Sequence, residues 1–103
     1  MSYTLGISPL VSIDIRDASD WYSAKSRDLG LIFEKHAFNA LEKLVDQPLI
    51  SPTKYHKIRV RRISKKFPFY LHYEVIEKDN LILVYAIFHG KQSPKKWSKR
   101  LNI

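Results

Sequence analysis

The sequence predicts an α+β domain: an N-terminal strand, a helical hairpin, then a three-stranded antiparallel meander, in two layers. Three observations predict it. Apolar residues in the first half recur every three or four positions. Beyond Pro52 the period drops to two, and aromatic and β-branched residues crowd together. Glycine, proline and a Lys-Asp-Asn stretch punctuate the places where the chain must change direction. The 103 residues suit one domain, 1–103, with one core.

Tyr3-Thr4-Leu5-Gly6-Ile7 reads as the first strand. Ser8-Pro9 then opens a helix. The serine can accept from a free helical N–H, and proline costs nothing at the first helical position. Val11, Ile15, Ala18 and Tyr22 form one helical face, Lys25 interrupts it, and Leu29 resumes it. Val11, Ile13 and Ile15 also fit an alternating strand. Trp21 and Tyr22 are expected to dock this helix. Gly30 marks the expected corner. Phe33, Ala37, Ala40, Leu41 and Leu44 trace a second helix that stops before Pro48, and His36 on it reads as a surface or packing residue. Pro48 and Pro52 bracket a short connection. His56 sits in a basic loop, where solvent exposure is expected.

In the second half Lys57, Arg59 and Arg61 alternate with Ile58 and Val60. Phe67 to Ile76 forms the next strand, Lys78-Asp79-Asn80 the turn, and Leu81 to Phe88 a strand apolar on both faces, hence central. Lys95 to Arg100 reads as a short helix or tail. Trp97 either pins that tail to the sheet or meets a partner, with pinning favoured.

The formal net charge is +8, unevenly distributed. Residues 1–50 carry five basic and seven acidic side chains, residues 51–103 thirteen and three. The second half therefore suits a polyanionic or acidic partner, or is a solvated basic surface. Cysteine is absent, which excludes disulfides and thiolate metal sites. With no basic-then-apolar start and no apolar run of about 18 residues, neither a signal peptide nor a membrane span is expected. A cytoplasmic location is the default. Glycine-rich phosphate loops, metal-ligand spacings and nucleophile motifs are missing, so no metal and no cofactor are expected.

Strand parity supplies the candidate chemistry. Tyr70, His72 and Glu74 share one face of their strand; Tyr85 and His89 share a face of the next; Lys57, Arg59 and Arg61 point together. Gathered on one open face, these would present three cations, two tyrosines and two histidines, with Lys91 and Arg100 at the rim. Such a face could bind a phosphate backbone and stack bases. Histidine or tyrosine could move a proton during RNA cleavage while a cation stabilises the phosphorane. The alternative is an amphipathic sheet whose Tyr and His side chains are half-buried and hydrogen-bonded.

Phe67-Pro68-Phe69, Tyr73-Glu74-Val75, Ala86-Ile87-Phe88-His89, Pro94-Lys95-Lys96-Trp97 and Arg100 together resemble the C-terminal signature of ParE/RelE-type toxins. Ser8-Pro9, Trp21-Tyr22, Leu29-Gly30, Phe33, Leu41 and Pro48 extend the resemblance over nearly the whole chain. It implies the RelE/ParE-like two-layer fold and the toxin of a type II toxin–antitoxin, or plasmid stabilisation, system. The implied partner is a cognate antitoxin whose extended segment wraps over the toxin. ParE-like members are associated with DNA gyrase inhibition, whereas RelE-like members cleave mRNA in the ribosome.

Two departures favour the ParE-like, non-enzymatic reading. Tyr70 stands where many relatives have arginine, and the chain ends in Leu101-Asn102-Ile103 rather than near a catalytic ring. The alternatives are a ribosome-dependent endoribonuclease and an inactive binding module. As a nuclease it would draw on His89, His72 and Arg61. Target or RNA contact would fall to Lys57, Arg59, Arg61, Tyr70, Tyr85, Lys91 and Arg100.

Overall fold

Ser8 ends the first strand, β1 (Thr4–Ile7), and starts the first helix, α1 (Pro9–Lys25). Its hydroxyl accepts from the Leu10 N–H at 3.2 Å, and Pro9 follows as the first helical residue. Helix α1 buries Val11, Ile15 and Ala18, while Ile13 remains 41% exposed. That placement decides for helix over strand in the Val11–Ile15 stretch. The structure, a computed structural model, describes residues 2–103.

The second helix, α2 (Arg27–Lys43), begins earlier than the sequence suggests. The corner is Ser26, in extended conformation, with its N–H bonded to the Tyr22 carbonyl at 3.0 Å. Gly30 lies inside α2 and serves a different purpose. A Cβ there would sit 2.5 Å from the Ser19 carbonyl oxygen and 2.0 Å from Ser23 Oγ. The glycine allows the two helices to touch backbone to backbone. Ser19, itself buried, donates to Glu34 Oε2 at 2.6 Å across this contact.

The remaining elements are β2 (Thr53–Tyr55), β3 (Ile58–Arg62), β4 (Phe69–Ile76), β5 (Leu81–His89) and α3 (Pro94–Leu101). They form one five-stranded sheet in the order β1-β5-β4-β3-β2. β1 runs parallel to β5 and the other pairs are antiparallel. The α+β class and the meander are as the sequence predicts, with β5 flanked on both sides. The additional strand is β2. It was hidden because three residues carry too little periodicity, and its pairing with β3 shifts register between Thr53 and Tyr55. His56 turns the chain between these strands with φ 49°, a left-handed conformation. Asn80 (φ 48°) does the same before β5, at the end of the expected Lys-Asp-Asn turn.

The hairpin covers one sheet face. Phe33, Ala37 and Leu41 of α2, with Leu44 at its C-cap, join Val11 and Ile15 of α1 against Leu71, Tyr73, Ile82, Val84 and Ile87. Phe33 and Leu44 have no solvent exposure. Full burial of such side chains is worth about 1.5–3 kcal/mol each. Tyr22 docks α1 through its ring, 4.9 Å from Phe67 and 5.5 Å from Phe33. Trp21 does not dock: it is 59% exposed.

Candidate functional site

The register of the meander decides which predicted side chains can act together. Arg59 lies opposite Tyr73 and Arg61 opposite Leu71, so both point to the helix side of the sheet. They do not join Tyr70 and His72. The α2–β2 connection passes over them instead. Arg59 Nη1 donates to the carbonyls of Ser51 (2.7 Å) and Leu49 (3.2 Å). Arg61 donates to Ser51 Oγ at 2.9 Å and to the Gln47 carbonyl, and its guanidinium lies 5.7 Å from the Tyr73 ring centre. Tyr73 adds a bond from its hydroxyl to the Pro48 carbonyl at 2.9 Å. These groups hold a loop that has little backbone pairing of its own.

A β-bulge divides the second predicted pair. His72 opposes Ala86 but Tyr73 opposes Val84, which leaves Tyr85 as the extra residue in β5. Simple alternation puts Tyr85 and His89 on one face. The bulge resets it: His89 opposes Phe69 on the helix side, its ring 5.1 Å from the phenyl ring. The Tyr85 hydroxyl donates to Glu74 Oε1 at 2.9 Å on the opposite face. Burial, and then the bond to Glu74, push the Tyr85 phenol up to about 12.

His72 is 1% exposed. The rings of Phe88 and Trp97 lie 5.1 Å from it, and Tyr55 Oη is 2.9 Å from its Nδ1. Burial above all, and then the charge of Lys54, lower its pKa to about 4. The imidazole is thus neutral near neutral pH and closed to a substrate. Trp97 stacks on Tyr55 at 5.1 Å, so it pins α3 to the open face.

Arg100 is not a free rim cation. It forms two 2.8 Å bonds to Asp14, and its Nη1 also donates to the Tyr85 carbonyl. Asp14 Oδ2 accepts from the Ile87 N–H at 3.0 Å. β1 pairs with β5 only as far as Val84. Beyond that point the ion pair serves the backbone edge of β5 in place of a strand. The hydrogen bonds to Asp14 raise the Arg100 pKa further. Lys57 and Lys91 are exposed; the Lys91 backbone N–H donates to His89 Nδ1 at 3.0 Å. Tyr70 is half-buried, with the Arg62 guanidinium 5.9 Å from its ring centre.

Parity counting misses a groove of about 530 Å³ between α1 and the end of β5. Half-buried Tyr22 and Phe69 and buried Ile87 line it, together with exposed Asp17, Trp21 and Lys96. A tryptophan next to the docking tyrosine, one step off the apolar stripe, was its only trace in the sequence. Among the described residues, no three His, Asp or Glu side chains gather as metal ligands. No helix there is long and apolar enough to cross a membrane.

The family model for the ParE toxin of the type II toxin–antitoxin system parDE matches residues 5–94. The chain belongs to the ParE toxin family. No curated protein sequence matches it. Among solved structures, this ParE-family chain is similar to the E. coli toxin RelE. An arginine-to-alanine double mutant in the free state aligns with TM-score 0.70 and 14% identity, covering 99% of this chain and 97% of that one. The isolated E. coli RelE toxin in a P21 crystal form gives TM-score 0.60 and 15% identity, covering 96% and 98%. At such identities the likeness is one of fold. Membership of the ParE family makes the chain a type II toxin of the ParE/RelE superfamily and implies an antitoxin partner.

Proposed function

We propose that this toxin arrests growth by contact with a protein target, with DNA gyrase as the target its family implies, and not by cutting RNA. The observation that carries this reading is the fate of the candidate nuclease set. His72 is buried and neutral, Arg61 is bound to the α2–β2 connection, and His89 faces the other side of the sheet from Tyr70 and Tyr85. A general base must reach the proton it removes, and a cation must reach the developing charge. Their present engagements keep these groups apart. The aromatic groove beside α1 supports contact, because exposed tryptophan beside a buried apolar floor is the usual anchor of a protein interface.

The test is to induce the chain without antitoxin and to follow growth, mRNA ends and plasmid supercoiling together. Growth arrest with intact mRNA and relaxed plasmid is expected. Cuts at codon positions would replace this reading with ribosome-dependent cleavage. Unimpaired growth would leave only a binding module. Trp21→Ala should weaken inhibition at least about tenfold if the groove is the contact.

A further inference from the structure

Helix α2 has two faces of opposite character. One buries Phe33, Ala37 and Ala40 in the core. The other carries Leu31 and Phe38, which remain 65% and 50% exposed. These two lie seven residues apart, two turns along the same side of the helix. Arg27, Glu34, Lys35 and Glu42 share that side, so the six residues fall within an arc of about 100°.

The charges on this stripe are not explained within the chain. Arg27, Lys35 and Glu42 are exposed and have no ion-pair partner among the described residues. Glu34 is half-buried and accepts from Ser19 through Oε2. Arg27 opens α2 and Glu42 stands one residue before its end. Both oppose the helix dipole, which favours anions in the first turn and cations in the last. Their placement does not serve the isolated helix.

The order along the stripe is symmetric about the midpoint between Glu34 and Lys35. Arg27 and Glu42 lie equally far from that point, as do Leu31 and Phe38. When a second α2 runs antiparallel with the two midpoints together, each residue meets its counterpart. Arg27 then faces Glu42, Glu34 faces Lys35, and Leu31 faces Phe38, each twice across a two-fold axis. A crossing angle of about 20° keeps such neighbours in register along the helix. The net charge of +8 opposes contact between copies in general, but α2, with three basic and three acidic side chains, is neutral.

We propose that the outer face of α2 is a self-complementary surface through which two copies of this toxin pair antiparallel. The 17 residues of α2 span about 26 Å. One helix pair of that length buries less than the roughly 800 Å² per partner of a stable complex. The dimer is therefore weak, with a dissociation constant on the order of 10–100 μM. No residue of α2 lines the groove beside α1, so pairing and target contact use different residues. The inference is independent of which protein the toxin inhibits.

The test is sedimentation velocity of the purified full chain from about 1 μM to about 1 mM, a span that brackets that constant. The average mass should rise from one chain towards two. Phe38→Ser should weaken pairing at least about tenfold, since the side chain is buried twice in each dimer. An unchanged melting temperature at low concentration checks that this half-exposed position leaves the fold intact. Arg27→Glu and Glu42→Arg should each weaken pairing about three- to tenfold by setting like charges opposite one another. Both changes suit the helix dipole, so neither loss can come from fraying of α2. The double variant R27E/E42R should regain most of the parent affinity, because the opposite charges face each other again. Trp21→Ala, which removes an exposed aromatic ring from α1, should pair like the parent. A chain that stays monomeric at 1 mM (about ten times the weakest constant expected) overturns the proposal. So does a dimer that Phe38→Ser leaves intact, which places self-association elsewhere. A double variant weaker than either single one overturns the antiparallel register and the proposal with it. A monomer whose Phe38→Ser variant loses the antitoxin assigns the stripe to that partner instead.

Discussion

The two faces of the sheet are held by different physics. On the α1–α2 side, apolar side chains from both helices interlock with β4 and β5 over a continuous core. On the α3 side no residue of the helix is buried. Its attachment rests on Trp97 against Tyr55 and His72, and on the Asp14–Arg100 pair. The first face is a source of global stability. The second is a latch, built from a few polar and aromatic contacts that can release locally. Residues chosen from sequence as catalytic belong largely to the fastening of the second face and of the α2–β2 loop.

The largest test of this contrast is Phe33→Ala. It should cost about 3–5 kcal/mol of global stability in denaturant unfolding, with every probe losing together. A loss below about 1 kcal/mol would mean that the hairpin face is not the main core.

On the latch face the largest effect is acid. The folded pKa of His72, about 4, lies below its unfolded value of about 6.5. The unfolded chain therefore binds the extra proton between those values, and stability rises with pH across that window. The contribution is fully present above pH 6.5 and is lost as pH falls to 4, to the extent of about 3 kcal/mol. NMR titration should show His72 neutral down to about pH 4, and His72→Gln should flatten this part of the acid slope. A His72 midpoint near 6.5 would remove the imidazole from the buried stack.

Gly30→Ala returns to the hairpin. With backbone and hydroxyl atoms inside the space of a Cβ, the helices must separate, at about 1–3 kcal/mol. Melting unchanged from the parent would show that the helices are not so close. The smallest global effect, about 1–2 kcal/mol, is expected for Arg100→Met, which leaves Asp14 unpaired at the β5 edge. Its signature is local: amides of residues 94–101 exchange faster while those of α1 and α2 keep their protection. Uniform loss of protection would make α3 part of the main core.

The helical hairpin and the meander were legible because their period is repeated over many residues. β2 was not, since three residues bridged by a left-handed His56 carry no period. Gly30 was legible as special but not in its role, because a turn and a close helix contact both demand the absence of Cβ. The site was less legible than the fold. One extra residue at Tyr85 reverses the parity of all that follows it in β5, and nothing in Val84-Tyr85-Ala86 announces a bulge. The destination of Arg59 and Arg61 depends on β3–β4 register and on a loop far away in sequence. The pinning role of Trp97 was readable, because a lone tryptophan in a polar tail needs an apolar surface to cover.

The central claim is that the cations and imidazoles of the sheet hold structure while inhibition proceeds by contact. Its most direct measurement pairs two purified reactions with the same toxin sample: mRNA on translating ribosomes, and relaxed plasmid with gyrase and ATP. The account predicts full-length mRNA and blocked supercoiling, restored by the antitoxin. Codon-positioned cleavage with supercoiling unaffected would contradict it.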